Sequence, residues 1–217
     1  MFEVYKLRME FNERLCGSVP LSDQAIEAWL ASRTPEKKPN EGASLEKIAK
    51  EVRATVMEEA ETVDKEGLIS LGFQQQDDGL VLRAGTLKAH IKDCSLQLFR
   101  AKIVKITSFR SKVANWVYIS PYWLSILKAN GEAVNEPDGE FTQSVHTMTR
   151  TGPINALKRI YYVDKPIVEA EIKLVTNPEI SIDHLEAIFE YGSMHGYGGE
   201  RGMGEGQYQF SIKKAVK

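Results

Sequence analysis

Tyr5, Leu7, Met9 and Phe11 alternate with Lys6, Arg8 and Glu10, a period of two that predicts a strand with one buried and one wet face. Gly17 and Pro20 break that pattern. Ser22 or Asp23 then caps a short helix carrying Ile26, Trp29 and Leu30 on one side. Residues 33–43 form a polar, proline-bearing linker, and a second helix starts at Ser44 with Leu45, Ile48, Val52 and Val56 as its apolar stripe. Residues 20–66 therefore read as a helical insertion. Asp77-Asp78-Gly79 is a turn between two apolar stretches and predicts a hairpin. Thr86 is placed to cap a helix whose buried stripe is Leu87, Ile91, Cys94 or Ser95, and Leu98. Gly85 allows a tight helix start, and Lys88 and Lys92 emerge together four residues apart.

Further on, Lys102–Arg110 and Val113–Ser120 are rich in β-branched and aromatic residues and predict strands. Residues 131–139 read as a polar loop. Two apolar-rich runs flank the basic, turn-prone segment 146–159. Ile167 to Val175 alternates cleanly, and Ser181 caps a last helix carrying Leu185, Ile188 and Phe189 that ends near Gly192. A final strand directs Tyr208, Phe210 and Ile212 inward. With the insertion set aside, the order is that of an α+β, ferredoxin-like (RRM-like) βαββαβ core with helices on one sheet face. The chain reads as a single domain over 1–217 with 20–66 inserted in it, and it contains no internal repeat.

Composition adds little until it is read locally. Net charge is −2, so no global attraction to nucleic acid follows. Between Arg83 and Lys128, however, lie Arg83, Lys88, Lys92, Arg100, Lys102, Lys105, Arg110, Lys112 and Lys128 against the single acid Asp93. Such a stretch predicts a localised anion-facing surface. Cys16 and Cys94 lack metal spacing and point to a reducing, cytoplasmic setting, and neither a signal peptide nor an apolar run of transmembrane length is present.

The densest chemical signal is near the end, where glycines stand at 196, 198, 199, 202, 204 and 206 around Arg201. Glycines free the backbone for positive φ and close approach, which suits an anionic chain such as a phosphate backbone. Trp116, Tyr118, Tyr122 and Trp123 are candidate base stackers beside the basic stretch.

Three segments together resemble the RAMP superfamily of CRISPR-associated proteins, most closely the subunits that form the crRNA-binding backbone filament. Asp77-Asp78-Gly79 through Gly85-Thr86-Leu87-Lys88 resembles the family's turn, strand and glycine-bearing helix start. His146 to Ile160, followed by Val163 to Val175, resembles the family's Asp-Arg-x-Thr-Gly segment and the strand after it, with Arg150 and Lys158 on what would be a projecting hairpin. The glycine loop before the last strand is the third. Ala84 and Ala89 depart from the family's usual Pro and Gly, and 20–66 has no counterpart, which opens the alternative of a phage or mobile-element relative.

The resemblance implies that single-stranded nucleic acid, RNA as a crRNA-like guide, is held by its backbone in a ribonucleoprotein complex with other copies of the chain and other subunits. The implied contacts are Gly85, Thr86, Lys88, Lys92, Arg110, Lys112, Arg150, Lys158, Arg201, Gly202 and Gly204. No cofactor, metal or membrane is expected. Some members of that family cut RNA, and His195 or His90 is the candidate general base for metal-independent cleavage. His146 and His184 have no metal-ligand spacing to either, and there is no Walker, Ser/His/Asp or H-E-x-x-H signature. The expectation is a non-catalytic binding subunit. The alternatives are the endoribonuclease and a phage strand-binding or interaction protein that docks a partner on its acidic helix 44–66.

Overall fold

The alternation predicted for the first strand holds in the computed structural model, which describes residues 2–21, 68–149, 152–176 and 179–215. Tyr5, Leu7, Met9 and Phe11 of β1 (Phe2–Phe11) are buried, and Lys6, Arg8 and Glu10 lie on the other face. The helices expected within 20–66 fall outside the described residues, as does Arg150. The following elements are β2 (Arg14–Cys16), β3 (Val19–Pro20), β4 (Leu68–Gly72), β5 (Gln74–Gln76) and β6 (Gly79–Arg83). Next come α1 (Ala84–Arg100), α2 (Phe109–Trp116), β7 (Val117–Ser120) and β8 (Trp123–Leu127). The rest are β9 (Gly139–Thr149), β10 (Gly152–Asp164), β11 (Ile167–Val175), α3 (Ile182–His195) and β12 (Tyr208–Lys214).

The chain divides into two units, one of Met1–Val19, Gly72–Glu140 and Ile160–Lys217, the other of Pro20–Leu71 and Phe141–Arg159. The first holds an antiparallel sheet in the order β12-β1-β11-β8-β6-β5, with β7 also paired to β11. Taking β1, β7 with β8, β11 and β12 as the four core strands, separated by α1 and α3, this is the βαββαβ arrangement of an α+β, ferredoxin-like fold. The register pairs Leu7 with Ala170 and with Ile212, so the inward residues of three adjacent strands sit side by side. Leu87, Ile91, Cys94 and Leu98 of α1 and Leu185, Ile188 and Phe189 of α3 close over that face to form one core. In the second unit, the described residues are 20–21, 68–71 and the stretches of β9 and β10 within 141–159, and the Leu21 N–H donates to Ser70 O over 2.9 Å.

Several elements differ from expectation. Lys102–Arg110 is not a strand. Its residues turn the chain, with Lys102 at φ 60 and Ser108 at φ 56, and lead into α2. Phe109 and Val113, four apart, supply the buried side of α2, so a helical stripe lay within residues whose types favour strands. Only Val117–Ser120 of the second predicted strand is extended. The 131–139 segment is not wholly a surface loop, because Val134 is buried, its N–H donates to Ile126 O, and its own carbonyl receives the Leu80 N–H. The last helix runs past Gly192 to His195.

Candidate nucleic-acid interface

Helix α1 does not begin at Thr86. Arg83 occupies the N-cap, and the first helical N–H, that of Ala84, donates to the Tyr122 carbonyl at 2.9 Å. Thr86 sits two residues inside, where its hydroxyl donates to the Arg83 carbonyl at 2.7 Å. With that proton committed, the Thr86 oxygen receives the hydroxyl of Tyr197, 2.6 Å away. Tyr197 comes from the glycine loop and is itself buried, which pushes its phenol up to about 12. One hydrogen-bonded pair thus joins the first turn of α1 to the loop.

The loop is held by main-chain bonds. Gly199 N–H donates to Cys16 O at 2.9 Å, Gly206 N–H to Arg14 O at 3.0 Å, and Tyr197 N–H to Gly206 O at 2.8 Å. Inside the loop, Met203 N–H reaches Glu200 O and Gly204 N–H reaches Arg201 O, closing a short 3₁₀ turn over Arg201–Met203. Gly198, Gly199 and Gly206 are therefore packing requirements. A Cβ would stand 2.9 Å from Cys16 O at 198, 2.5 Å from Gly17 O at 199 and 2.0 Å from Tyr197 O at 206. The N–H groups of Gly199 and Gly206 are therefore spent on the protein's own carbonyls. Gly85 and Gly202 are different, since a Cβ at either meets nothing within 4 Å.

Beside this junction α1 and α3 come close together. Gly192 of α3 faces the hydrogen bond between His90 Nε2 and the Tyr208 hydroxyl, 2.9 Å long, and a Cβ there would lie 2.7 Å and 2.5 Å from those two atoms. His90 is 4% exposed; burial, reinforced by the Arg201 and His195 charges, pushes its imidazole down to about 3, so it is neutral at physiological pH. One turn along α1, Asp93 Oδ2 lies 3.3 Å from His195 Nε2 and 3.3 Å from an Arg201 guanidinium nitrogen. Burial raises the Asp93 carboxyl, but the His195 hydrogen bond and the Arg201 charge outweigh it, and the net displacement is downward.

Thr86, His90, Asp93, Tyr197, Gly198 and Arg201 line one open cleft of about 400 Å³, together with Leu82. Of the predicted site residues, Thr86, Arg201, His90 and His195 therefore meet in or beside one cleft, with Gly85 and Gly202 as their chain neighbours. Lys88 does not join them. Its ammonium donates to the carbonyls of Val117 and, at 3.3 Å, Val113, capping the C-terminal end of α2. Burial and the Lys92 charge push it down to about 8. Lys92 lies farther along α1 and is half-buried, Arg110 is exposed on α2, and Lys112 pairs with Glu179. Lys158 belongs to β10 in the second unit.

Sequence reasoning missed Asp93, Tyr197 and Tyr208 as parts of this cluster. Asp93 carried a signal, as the lone acid in the basic stretch. Tyr197 and Tyr208 carried none that separates them from ordinary core aromatics.

No protein-family profile matches the chain, and no curated protein does. Among solved structures, a chain of a type IV-B CRISPR complex superposes with a TM-score of 0.48 at 6% identity, over 99% of this chain and 92% of that one. A chain of the type III-B Cmr-beta complex, solved by cryo-EM bound to cognate target RNA, superposes with a TM-score of 0.45 at 7% identity. That match covers 99% of this chain and 62% of the other.

Proposed function

We propose that the chain is a non-catalytic subunit that holds single-stranded RNA by its sugar–phosphate backbone, within a CRISPR-type ribonucleoprotein built from copies of itself and other subunits. The observation that carries this reading is the convergence of the first turn of α1 and the Arg201 loop on one open cleft. The first turn of α1 holds no acid, and Gly85 and Thr86 in it are exposed. A helix start in this state favours an anion through its N–H groups and dipole. Arg201 adds a guanidinium whose fork has five donors, so its bond to Asp93 leaves others for a phosphate oxygen. The CRISPR-type assignment draws its support from the sequence segments, two of which lie at the start of α1 and in the loop before the last strand of a ferredoxin-like core.

The non-catalytic part is supported by the state of the two histidines. A general base works best with a pKa near the working pH, and His90 at about 3 is a feeble one. His195 Nε2 is turned onto Asp93.

The test is binding of a short labelled single-stranded RNA across a salt series. The expected result is affinity that falls with salt, and an Arg201→Ala variant that binds several-fold more weakly, with a salt slope smaller by roughly 0.7 for one lost phosphate contact. Sequence preference stays the same. Absence of binding at low salt would sink the proposal. Cleavage of the RNA, lost in His195→Ala, would replace it with a metal-independent endoribonuclease.

A further inference from the structure

The first turn of α1 has a neighbour that the cleft does not include. The Tyr122 carbonyl that receives the Ala84 N–H fixes the 121–123 bend against the helix start. From that bend Tyr122 projects with 62% of its surface exposed, far more than a core aromatic retains. Trp123 stands edge-on to it, ring centroids 4.8 Å apart at 83°. Behind Trp123, the exposed Arg83 lays its guanidinium over the indole face at 5.4 Å and is held there by its Nε bond to Gln74 Oε1 at 3.1 Å. Trp123 is anchored twice over, because its backbone pairs with Arg83 across β6 and β8. The result is one exposed phenol ring, braced by an indole and a positively charged plane, one hydrogen bond away from the helix start.

We propose that Tyr122, braced by Trp123 and Arg83, is a stacking platform for one base of a single-stranded nucleic acid. The inference rests on the reading that the strand's backbone passes the first turn of α1. The occupant follows from the chemistry. A flat, electron-rich ring suits a planar base, and the guanidinium over the neighbouring Trp123 indole suits the anionic linkage to which a base is attached. An aliphatic partner would gain nothing from the cation. Every base has a π-face, so the platform adds affinity without selecting sequence.

The experiment compares two short single-stranded oligonucleotides of equal length, one bearing bases throughout and one abasic, against the full chain and its Tyr122→Leu, Tyr122→Ala and Tyr122→Phe variants. A 2-aminopurine placed in the base-bearing strand reports stacking by quenching. The wild-type chain is expected to prefer the base-bearing strand by about tenfold and to quench the probe. Tyr122→Phe retains both effects, while Tyr122→Leu and Tyr122→Ala lose them with the salt slope unchanged. Because the side chain is exposed, thermal melts of all four proteins should coincide within a few degrees. Equal binding of both strands, or full base preference in Tyr122→Leu, overturns the platform and leaves the backbone reading standing. If neither strand binds at low salt, both fail together.

Discussion

Gly192→Ala is the sharpest probe of how the cleft is built. Its α3 position is an ordinary helix interior, where replacing glycine by alanine should stabilise by about 1 kcal/mol. The structure reverses that sign. The added methyl would stand 2.5 Å from the Tyr208 hydroxyl and 2.7 Å from His90 Nε2, both of which are buried and bonded to each other. Relief requires α3 to move away from α1 or the hydrogen bond to break. Overpacking of this kind costs about 1–3 kcal/mol, and separating a buried donor and acceptor adds about 1–3 kcal/mol. Set against the propensity gain, a net loss of about 1–5 kcal/mol is expected. Urea unfolding followed by circular dichroism would measure it, with a lower midpoint and an unchanged m-value. Tyr208→Phe removes the atom nearest the new methyl, so the double variant should lose less than the two single losses together. If Gly192→Ala were as stable as wild type or more so, the close approach of α1 and α3 would not be what holds His90 in place.

The remaining predictions concern the cleft and its neighbours. Gly85→Ala meets no atom within 4 Å, so stability should be unchanged or up to about 1 kcal/mol higher, while RNA affinity falls if the strand passes there; melting and binding assays on one preparation separate the two effects. His90 holds its proton far less tightly folded, at about 3, than unfolded, at 6.5. The unfolded state therefore binds more protons between those values, and stability present above pH 6.5 is lost progressively toward pH 3; His90→Gln should flatten that acid limb in urea titrations. Lys88 is pushed down from 10.5 to about 8, so the folded state sheds its proton first and stability rises as pH climbs through that window. Lys88→Met should abolish the rise, measured as the difference in unfolding midpoint between the two ends of the window.

Much of the fold is legible from period alone. The alternation of β1 and β11 and the 87-91-94-98 stripe of α1 each have a single physical solution, and the structure adopts it. Helix α2 was illegible because Val113, Trp116 and their neighbours are residue types that favour strands, and tertiary packing of Phe109 and Val113 overrode that preference. The site divides in the same way. That Thr86 and Arg201 matter could be read from local chemistry, but that they share a cleft depends on Tyr197 reaching across more than a hundred residues of chain. Nor does a run of glycines disclose which of them fill space: Gly199 is packed against Gly17 O, whereas Gly202 has open space around it. Lys88 and Lys92, four apart, were read as a paired basic face, yet Lys88 found two backbone carbonyls to cap instead.

The loop after α3 takes its path from the carbonyls of Arg14 and Cys16, from its own backbone, and from the buried Tyr197 side chain. Position 200 is constrained by its φ of 56, for which asparagine or glycine is the easy substitute. Positions 201 to 203 carry no such constraint. Selection could therefore exchange the loop's charge, size or polarity at those three places and change what the cleft accepts, while the scaffold beneath keeps its form.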